Sequence, residues 1–322
     1  MTEVGVDSAR LHVAAAVITD DRDRVLVSRR AGHLHQGGRW EFPGGKLLAG
    51  ETAEAGLGRE LHEELGITVL SARPLIRIHH DYPDRAVLLD VWRVSAFAGK
   101  AVGREGQAIA WVAADRLRRY RFPAANAAIL KAVALPERYL ITPAPGSDMP
   151  GFLDGLERVL ARGVRLVQLR AKQSPAADLE RLVPPVRERC RRAGARLLVN
   201  AEPALAVELG TDGVHLSSTR LMALPARPPV PPDHLVAASC HTLAEVRRAC
   251  ELALDFIVVS PVQATASHPC TPPIGFEGLR NLTETATVPV YALGGMRETD
   301  LDMAWRHGAQ GIAAIRGLWG ED

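Results

Sequence analysis

The first 135 residues alternate short apolar runs with one marked amphipathic segment. The runs are rich in β-branched residues and bounded by turn residues, which predicts strands. Residues 52–66 (TAEAGLGRELHEELG) show helical spacing and end at Gly66-Ile67, where a left-handed C-cap is expected. Residues 122–135 predict a closing amphipathic helix. The pattern therefore predicts an α/β fold with a mixed sheet. The strand-like runs are 11–19, 24–30, 74–82 and 86–97.

After the breaker Pro136-Glu137-Arg138, the pattern becomes a regular series of apolar runs separated by helical segments. Eight strand candidates in one alternating series predict a (β/α)₈ TIM barrel rather than a doubly wound sheet. The sequence thus predicts two domains, 1–135 and 138–322. The eight runs are RYLIT, VRLVQLR, RLLVN, GVHL, LVAAS, FIVVS, VPVYAL and GIAAI.

Composition narrows the class of protein. Of 322 residues, 47% are hydrophobic and 24% charged, as in ordinary globular proteins rather than disordered or membrane proteins. The formal charge of +2 provides no basic field for a nucleic-acid polymer, so a small ligand is favoured. The N-terminal sequence lacks the pattern of a signal peptide, and we expect a cytoplasmic protein without a membrane partner. The four cysteines show no metal-ligand spacing.

Three carboxylates share one face of the first predicted helix. Glu60, Glu63 and Glu64 stand at i, i+3 and i+4. Crowded like charges become favourable when a hard divalent cation binds them, which points to Mg²⁺ or, alternatively, Mn²⁺. The alternative is a solvated acidic helix face. Gly56 and Gly58, inside the same helix, are interpreted as close-packing positions.

The surroundings of these carboxylates resemble the signature of the Nudix hydrolases, in which a glycine, a glutamate and an Arg-Glu-apolar-x-Glu-Glu-x-Gly-apolar run follow at fixed spacing. The resemblance implies that Glu60, Glu63 and Glu64 are catalytic metal ligands on a di- or triphosphate, with Glu60 also a candidate base. It implies that Glu51 and Arg59 form an ion pair that orients the helix, and that substrate lies beside Gly44 and Gly45. The matching positions are Gly45, Glu51, Arg59, Glu60, Leu61, Glu63, Glu64, Gly66 and Ile67.

Further segments are similar to the MutT-type 8-oxo-dGTP diphosphatases. These are SRRAGHLHQGGRWEFPGGK, YPDRAVLLDVW, GREGQAIAWV and FPAANAAILK. The resemblance implies Mg²⁺-dependent hydrolysis of 8-oxo-dGTP to the monophosphate and pyrophosphate. It implies that Arg30 and Asn126 bind the oxidised guanine and that Glu105 is a catalytic group beside the metal. The alternatives are an exposed strand edge for Arg30 and a helix cap for Asn126.

The second half resembles thiamine phosphate synthase and the related thiazole tautomerases, through segments such as RYLITP, VQLRAK, TDGVHL and GAQGIAAIRG. The resemblance implies a ligand site containing Gln168, Arg170, Lys172 and Asn200. It also implies a phosphate site at Gly294 and Gly295, with the backbone at Ile315 and Arg316.

Four residues depart from the patterns of the synthases and tautomerases. Ala201 and Arg220 stand where the synthases have metal-binding aspartates, and His268 stands where they have a lysine. The tautomerase histidine is replaced by Pro261. We therefore expect a non-synthase module that binds a phosphorylated small ligand. The alternatives are a bifunctional enzyme with an active synthase domain, hydrolysis of a thiamine-pathway pyrophosphate, and a non-enzymatic nucleotide sensor.

Overall fold

The structure is a computed structural model that describes residues 11–30, 32, 37–82, 85–170, 176–265 and 271–320. The chain divides into two compact units between Ala134 and Leu135. Within the described ranges, no helix combines the length and the apolar character needed to cross a bilayer.

The N-terminal unit contains a four-stranded mixed sheet, as predicted, and a second sheet that the sequence pattern did not reveal. In the mixed sheet, β1 pairs in parallel with β6, while β1–β4 and β5–β6 are antiparallel. The second sheet, β3-β2-β7, is antiparallel. Very short β3 and β4 carry too few residues to show a period of two. The strands are β1 Leu11–Ile18, β2 Arg24–Arg29, β3 Trp40–Glu41, β4 Gly44–Lys46, β5 Thr68–Tyr82, β6 Arg85–Ala98 and β7 Ile109–Ala113.

Helix α1, Ala53–Leu65, carries the predicted carboxylates. Its N-cap Thr52 accepts a hydrogen bond from the N–H of Ala55, and its C-cap Gly66 is left-handed with φ 72°, as the sequence predicts. The apolar face of α1 is buried against the mixed sheet, in a cluster with alanines of β1. The acidic face therefore stays outside the core.

The two glycines inside α1 differ in their surroundings. A side chain on Gly56 would collide with Leu47, so Gly56 is a close-packing position. The same interpretation is wrong for Gly58, because no described heavy atom lies within 4 Å of where its Cβ would be. The predicted closing helix is divided: a 3₁₀ turn, Ala124–Asn126, follows Pro123, and α2 spans only Ala127–Ala134. Another 3₁₀ turn spans Ala114–Arg119.

The C-terminal unit is a closed barrel of eight parallel strands in sequential order, which confirms the predicted TIM barrel. Buried strand residues alternate between a barrel interior and a layer under the helices. The strands are β8 Arg138–Ile141, β9 Leu166–Leu169, β10 Arg196–Val199, β11 Gly213–Leu216, β12 Leu235–Cys240, β13 Phe256–Val259, β14 Val290–Ala292 and β15 Gly311–Ala314.

Aromatic side chains fill the barrel interior. The rings of Tyr139, Phe256 and Tyr291 are fully buried, with centroids 5.2–5.7 Å apart. Because the interior is packed, a ligand site is expected at the carboxyl ends of the strands. The surrounding helices are α3 Met149–Ala161, α4 Ala176–Arg192, α5 Pro203–Glu208, α6 Ser218–Ala223, α7 Leu243–Glu251, α8 Gly275–Thr283, the 3₁₀ turn Glu298–Asp300, α9 Leu301–Arg306 and α10 Arg316–Trp319.

Candidate functional site

Arg59 connects the carboxylates of the acidic face. Its guanidinium donates to both carboxylate oxygens of Glu51, at 3.0 and 2.9 Å, and to Glu60 Oε1 at 2.8 Å. It also reaches Glu63 Oε2 at 3.3 Å and the carbonyl oxygen of Lys46 at 3.0 Å. The hydrogen bonds from Arg59 lower the pKa of Glu51. Arg59 therefore joins α1, the segment before it and the end of β4 through a fork-shaped donor.

The glycine pair of β4 brings its backbone against two of these glutamates. The N–H of Gly44 donates to Glu64 Oε2 at 3.2 Å. A side chain on Gly45 would collide with the carboxylate of Glu60. Gly44 has φ 141°, and a side chain there would collide with the carbonyl of Ala14 on β1. The glycines thus allow the edge strand to approach the acidic helix closely.

Glu105 is brought to α1 by a short segment that follows β6. The N–H of Arg104 and the side-chain amide of Gln107 both donate to the carbonyl oxygen of Glu64, at 2.9 and 3.1 Å. The side chain of Gln107 also accepts from the N–H of Glu105 at 2.9 Å. These contacts give hydrogen-bond donors to the carbonyl oxygen of Glu64, which lies in the last turn of the helix. They also bring Glu105 close enough for its charge to raise the pKa of Glu64.

Glu64 has an unusual protonation equilibrium. Burial raises its pKa to about 7, the N–H of Gly44 opposes this shift, and the charges of Glu105, Glu41 and Glu60 raise it further. Among the described residues, no three carboxylate, imidazole or thiol groups converge into a preformed metal cage. The donor set still fits Mg²⁺ or Mn²⁺, since both prefer hard oxygen ligands and a divalent cation would relieve the repulsion felt by Glu64.

A cavity of about 620 Å³ has Glu64 and Glu105 in its wall together with the candidate purine-binding residues, whereas Glu60 and Glu63 do not line it. Arg30 forms an ion pair with Glu41 across neighbouring strands, and both line the cavity. Burial raises the pKa of Glu41, and Arg30 opposes that shift. Arg30 is thus a half-buried cavity residue rather than an exposed strand edge. The wall includes Arg30, Glu41, Phe42, Gly44, Gly45, Glu64, Glu105 and Asn126.

Asn126 lies in the wall of the same cavity and is 7% exposed. It ends the 3₁₀ turn before α2. Within the described part of the chain, its side-chain amide makes no hydrogen bond, so it does not act as the helix cap that the sequence left open. An amide in a cavity wall offers a donor and an acceptor to a ligand. Phe42, stacked on Phe122 at 5.3 Å, adds an apolar surface nearby.

The barrel has its own cavity of about 520 Å³ at the carboxyl ends of the strands. The structure brings Gln168, Arg170, Asn200, Gly294 and Gly295 together in its wall. The predicted residues Lys172 and His268 lie outside the described residues. Ile315 and Arg316 also line the cavity.

The side-chain amide of Asn200 contacts Arg220, the residue that stands where the resemblance to the synthases implies an aspartate. Arg220 donates to Asn200 Oδ1 at 3.3 Å and forms an ion pair with Glu202 at 2.5 Å. Ala201 is buried and offers no ligand. A guanidinium therefore holds the amide oxygen of Asn200, which would otherwise be available to a cation.

Family models match both units. A model described as NUDIX domain matches residues 14–132, and one described as thiamine monophosphate synthase matches residues 138–318. The chain belongs to the thiamine monophosphate synthase family and carries a Nudix domain in front of it. Its two units are accordingly a Nudix unit and a synthase-family barrel.

Known relatives follow the same division. The barrel is 36% identical over 181 residues to a putative thiamine-phosphate synthase 2 of Aquifex aeolicus, covering 56% of this chain and 96% of the relative. The Nudix unit is 35% identical over 121 residues to the 8-oxo-dGTP diphosphatase of Escherichia coli, covering 38% and 94%. A solved structure of MutT, from work on the Aliivibrio salmonicida and Vibrio cholerae proteins, is 41% identical, covers 38% of this chain and 96% of its own, and has a TM-score of 0.35.

Sequence reasoning missed polar residues of both cavities. In the Nudix unit it missed Glu41, although the residue stands inside the WEFPGGK segment. In the synthase-family barrel it missed His241, whose Nδ1 lies 2.8 Å from the carbonyl oxygen of Ser260. His241 follows β12 directly, and a polar residue at the carboxyl end of a barrel strand is a signal that could have found it.

The barrel interior also contains a buried hydrogen-bonded series with both ends in the cavity wall. Gln168 Nε2 donates to the Tyr139 hydroxyl at 3.2 Å, which lies 3.1 Å from His215 Nδ1. His215 Nε2 is 2.9 Å from the hydroxyl of Ser239. Burial lowers the pKa of His215 to about 3, so the ring is neutral near pH 7. Gln168 is therefore both a cavity residue and part of the packed interior.

Proposed function

We propose that the Nudix unit hydrolyses 8-oxo-dGTP to 8-oxo-dGMP and pyrophosphate with Mg²⁺. The observation that carries this proposal is one cavity whose wall contains Glu64 and Glu105 together with Arg30 and Asn126. Acidic oxygens suited to a metal-bound phosphate chain and an amide suited to a purine edge thus face the same space. The likeness to the 8-oxo-dGTP diphosphatase of Escherichia coli supports the choice of substrate.

Glu60, Glu63, Glu64 and Glu105 would hold the Mg²⁺ ions. When bound, Mg²⁺ neutralises charge on the phosphates and activates a water molecule. Arg59 fixes the position of Glu60 through its 2.8 Å hydrogen bond, while Gly44 holds Glu64. Glu60 remains the candidate for accepting a proton from the attacking water.

Recognition of the oxidised base would depend on Asn126. Guanine presents a lone pair at N7, whereas 8-oxoguanine presents an N–H there, and O6 is an acceptor in both. The amide of Asn126 offers one acceptor and two donors, so it can accept from N7–H and donate to O6. Arg30, oriented by Glu41, would bind the base or its sugar from another part of the wall.

A substrate panel tests this assignment. On the purified full-length chain, release of pyrophosphate is measured with dGTP and 8-oxo-dGTP, and release of inorganic phosphate is measured with thiamine diphosphate. We expect a strong preference for 8-oxo-dGTP, which Asn126→Ala should reduce by about 5–150-fold, the equivalent of about 1–3 kcal/mol for an unpaired polar group. The exposed Asn281 of α8 provides the matched control, Asn281→Ala.

The panel also separates the competing functions. Equal rates on dGTP and 8-oxo-dGTP would refute specificity for the oxidised base. Preferential turnover of thiamine diphosphate would establish the thiamine-pathway hydrolase instead. Tight nucleotide binding without turnover of any compound, at saturating Mg²⁺, would favour the sensor.

For the synthase-family barrel, we propose binding of a phosphorylated small molecule without synthase activity. The observation that favours this is the contact between Arg220 and Asn200, beside buried Ala201, in place of metal-binding carboxylates. Membership of the synthase family favours the alternative, a bifunctional enzyme. The test is expression of the full chain in a thiamine-requiring strain that lacks its own synthase. We expect no growth without thiamine, and growth would show a working synthase.

A further inference from the structure

The described wall of the barrel cavity carries positively charged side chains and no negatively charged ones. Its wall contains three arginines, Arg170, Arg297 and Arg316, and no aspartate or glutamate among the described residues. The two undescribed segments that adjoin wall residues in the sequence, 171–175 (AKQSP) and 266–270 (ASHPC), contain no acidic residue either. The formal charge of the wall is therefore +3, from the three arginines of the lining.

No described carboxylate neutralises these arginines. Within the described ranges, none of the three guanidinium groups has a carboxylate at ion-pair distance. Elsewhere in the barrel, exposed arginines commonly do, as Arg181 with Asp178 at 3.5 Å. Arg170 is half-buried, and burial lowers its pKa. Three unpaired cations around one cavity repel one another, and an anion in the cavity would relieve this cost.

Two backbone N–H groups in the cavity wall also have no described hydrogen-bond partner. The N–H groups of Gly294 and Gly295 donate no hydrogen bond to any described residue. Both glycines have positive φ, 101° and 69°, and side chains there would collide with the loop at Pro261 and Ala264. The conformation that requires glycine therefore leaves two amide donors in the cavity wall, the arrangement that binds an anion in other proteins.

A divalent cation has little to bind here. Mg²⁺ prefers carboxylate oxygens, and the described wall contains none. The amide oxygen of Asn200 accepts from Arg220, whose other contact is Glu202. The remaining side-chain oxygens include the hydroxyls of four serines, which hydrogen-bond well but are weak ligands.

We propose that the barrel cavity binds a phosphate group without a divalent cation, its charge being balanced by Arg170, Arg297 and Arg316. This inference rests on the proposed function of the barrel as a phosphate-binding module and adds how the negative charge is compensated. The phosphate is free or part of a phosphate ester. The cavity of about 520 Å³ lies in the range of organic-ligand sites, which favours an ester.

Calorimetric titration of the full chain tests the proposal with two probes, inorganic phosphate and thiamine monophosphate, each in excess EDTA and in excess Mg²⁺. We expect the same Kd in both media within about threefold, a difference below 1 kcal/mol. Tighter binding of the ester would identify an organic phosphate, and tighter binding of inorganic phosphate a free anion. Both results support metal-free binding.

Variants separate the barrel from the Nudix unit, which also binds phosphates. Arg170→Gln and, at an exposed position, Arg316→Gln should each weaken metal-free binding at least tenfold. Arg181→Gln removes the same charge from the outer surface of α4 and should leave it unchanged. Thermal melting shows whether each variant is folded. Because Arg316 is exposed, Arg316→Gln is informative even if Arg170→Gln fails to fold.

Failure of this inference and failure of the proposed function of the barrel would give different binding results. Binding that appears only with Mg²⁺ and is unaffected by Arg316→Gln would overturn metal-free charge balance while leaving a phosphate-binding barrel. Absence of binding in both media would overturn the proposed function of the barrel together with this inference.

Discussion

The carboxylate of Glu60 occupies the space that a side chain on Gly45 would need. Gly45 belongs to the edge strand β4 and Glu60 to α1, and Arg59 holds the same carboxylate from the other side at 2.8 Å. The spacing of the Nudix signature thus has a physical basis: its first glycine allows a strand to pass directly over a glutamate of the helix.

We predict that Gly45→Ala lowers activity more than stability. Gly45 does not have a left-handed backbone, and the atoms that an added methyl group would meet belong to the flexible end of the Glu60 side chain. The carboxylate can move aside at little cost in folding free energy, but it then leaves its position beside Arg59. The rate of pyrophosphate release from saturating 8-oxo-dGTP and the urea-unfolding free energy are to be measured together. A variant as active as the wild type would show that the close approach is not needed.

The two glycines inside α1 should respond in opposite ways to alanine. Gly58→Ala should stabilise the Nudix unit by about 0.5–1 kcal/mol, since the site has space and alanine loses less backbone entropy in a helix. Gly56→Ala should destabilise it, because the added methyl group would overlap Leu47 and approach Glu51. Chemical denaturation of the two variants checks this pair, and stabilisation by both would refute the packing of Leu47 against Gly56.

Glu63→Gln should reduce turnover by about 100-fold or more at saturating Mg²⁺ without unfolding the protein. Loss of a residue that only hydrogen-bonds to a metal ligand costs about 10–100-fold, and loss of a direct ligand should cost at least as much. Glu63 is 54% exposed, so its carboxylate contributes little to folding. Glu54→Gln, in the exposed first turn of the same helix, is the matched control. Turnover close to the wild-type rate in Glu63→Gln would contradict the metal assignment.

The barrel should lose stability in mild acid through His215. Burial holds the folded-state pKa of this ring at about 3, against 6.5 for an unperturbed histidine. Below about pH 6.5 the unfolded chain therefore binds a proton that the folded barrel does not, and stability falls as the pH decreases toward 3. This single group contributes a slope of up to about 1.4 kcal/mol per pH unit and has no effect above about pH 7.5.

Unfolding midpoints of the full chain between pH 4 and pH 8 measure this slope. His215→Gln removes the titrating ring and should flatten the pH dependence, even though it lowers stability by disturbing Tyr139 and Ser239. His62→Gln, on the exposed side of α1, is the matched control. An equally steep slope in His215→Gln would assign the acid sensitivity to other groups.

The sequence alone predicted the elements whose signals are local. The i, i+3, i+4 spacing placed Glu60, Glu63 and Glu64 on one helix face, because helical geometry follows from neighbouring residues. Gly66 predicted the left-handed cap for the same reason. Eight apolar runs alternating with helical segments predicted the barrel, since parallel strands joined by helices have few ways to bury both faces of a sheet.

Only the tertiary structure decided which side chains share a cavity and which are paired. Glu41 and Arg30 are 11 residues apart, and no local pattern shows that neighbouring strands bring them into an ion pair. Nor could the sequence show that Gly56 is packed and Gly58 is not, because the Cβ contacts of a helix depend on what lies against each face. The same limit applies to Arg220. The sequence shows only that an arginine stands where the synthases have an aspartate. Its contact with Asn200 forms because the closed barrel places α6 beside the end of β10.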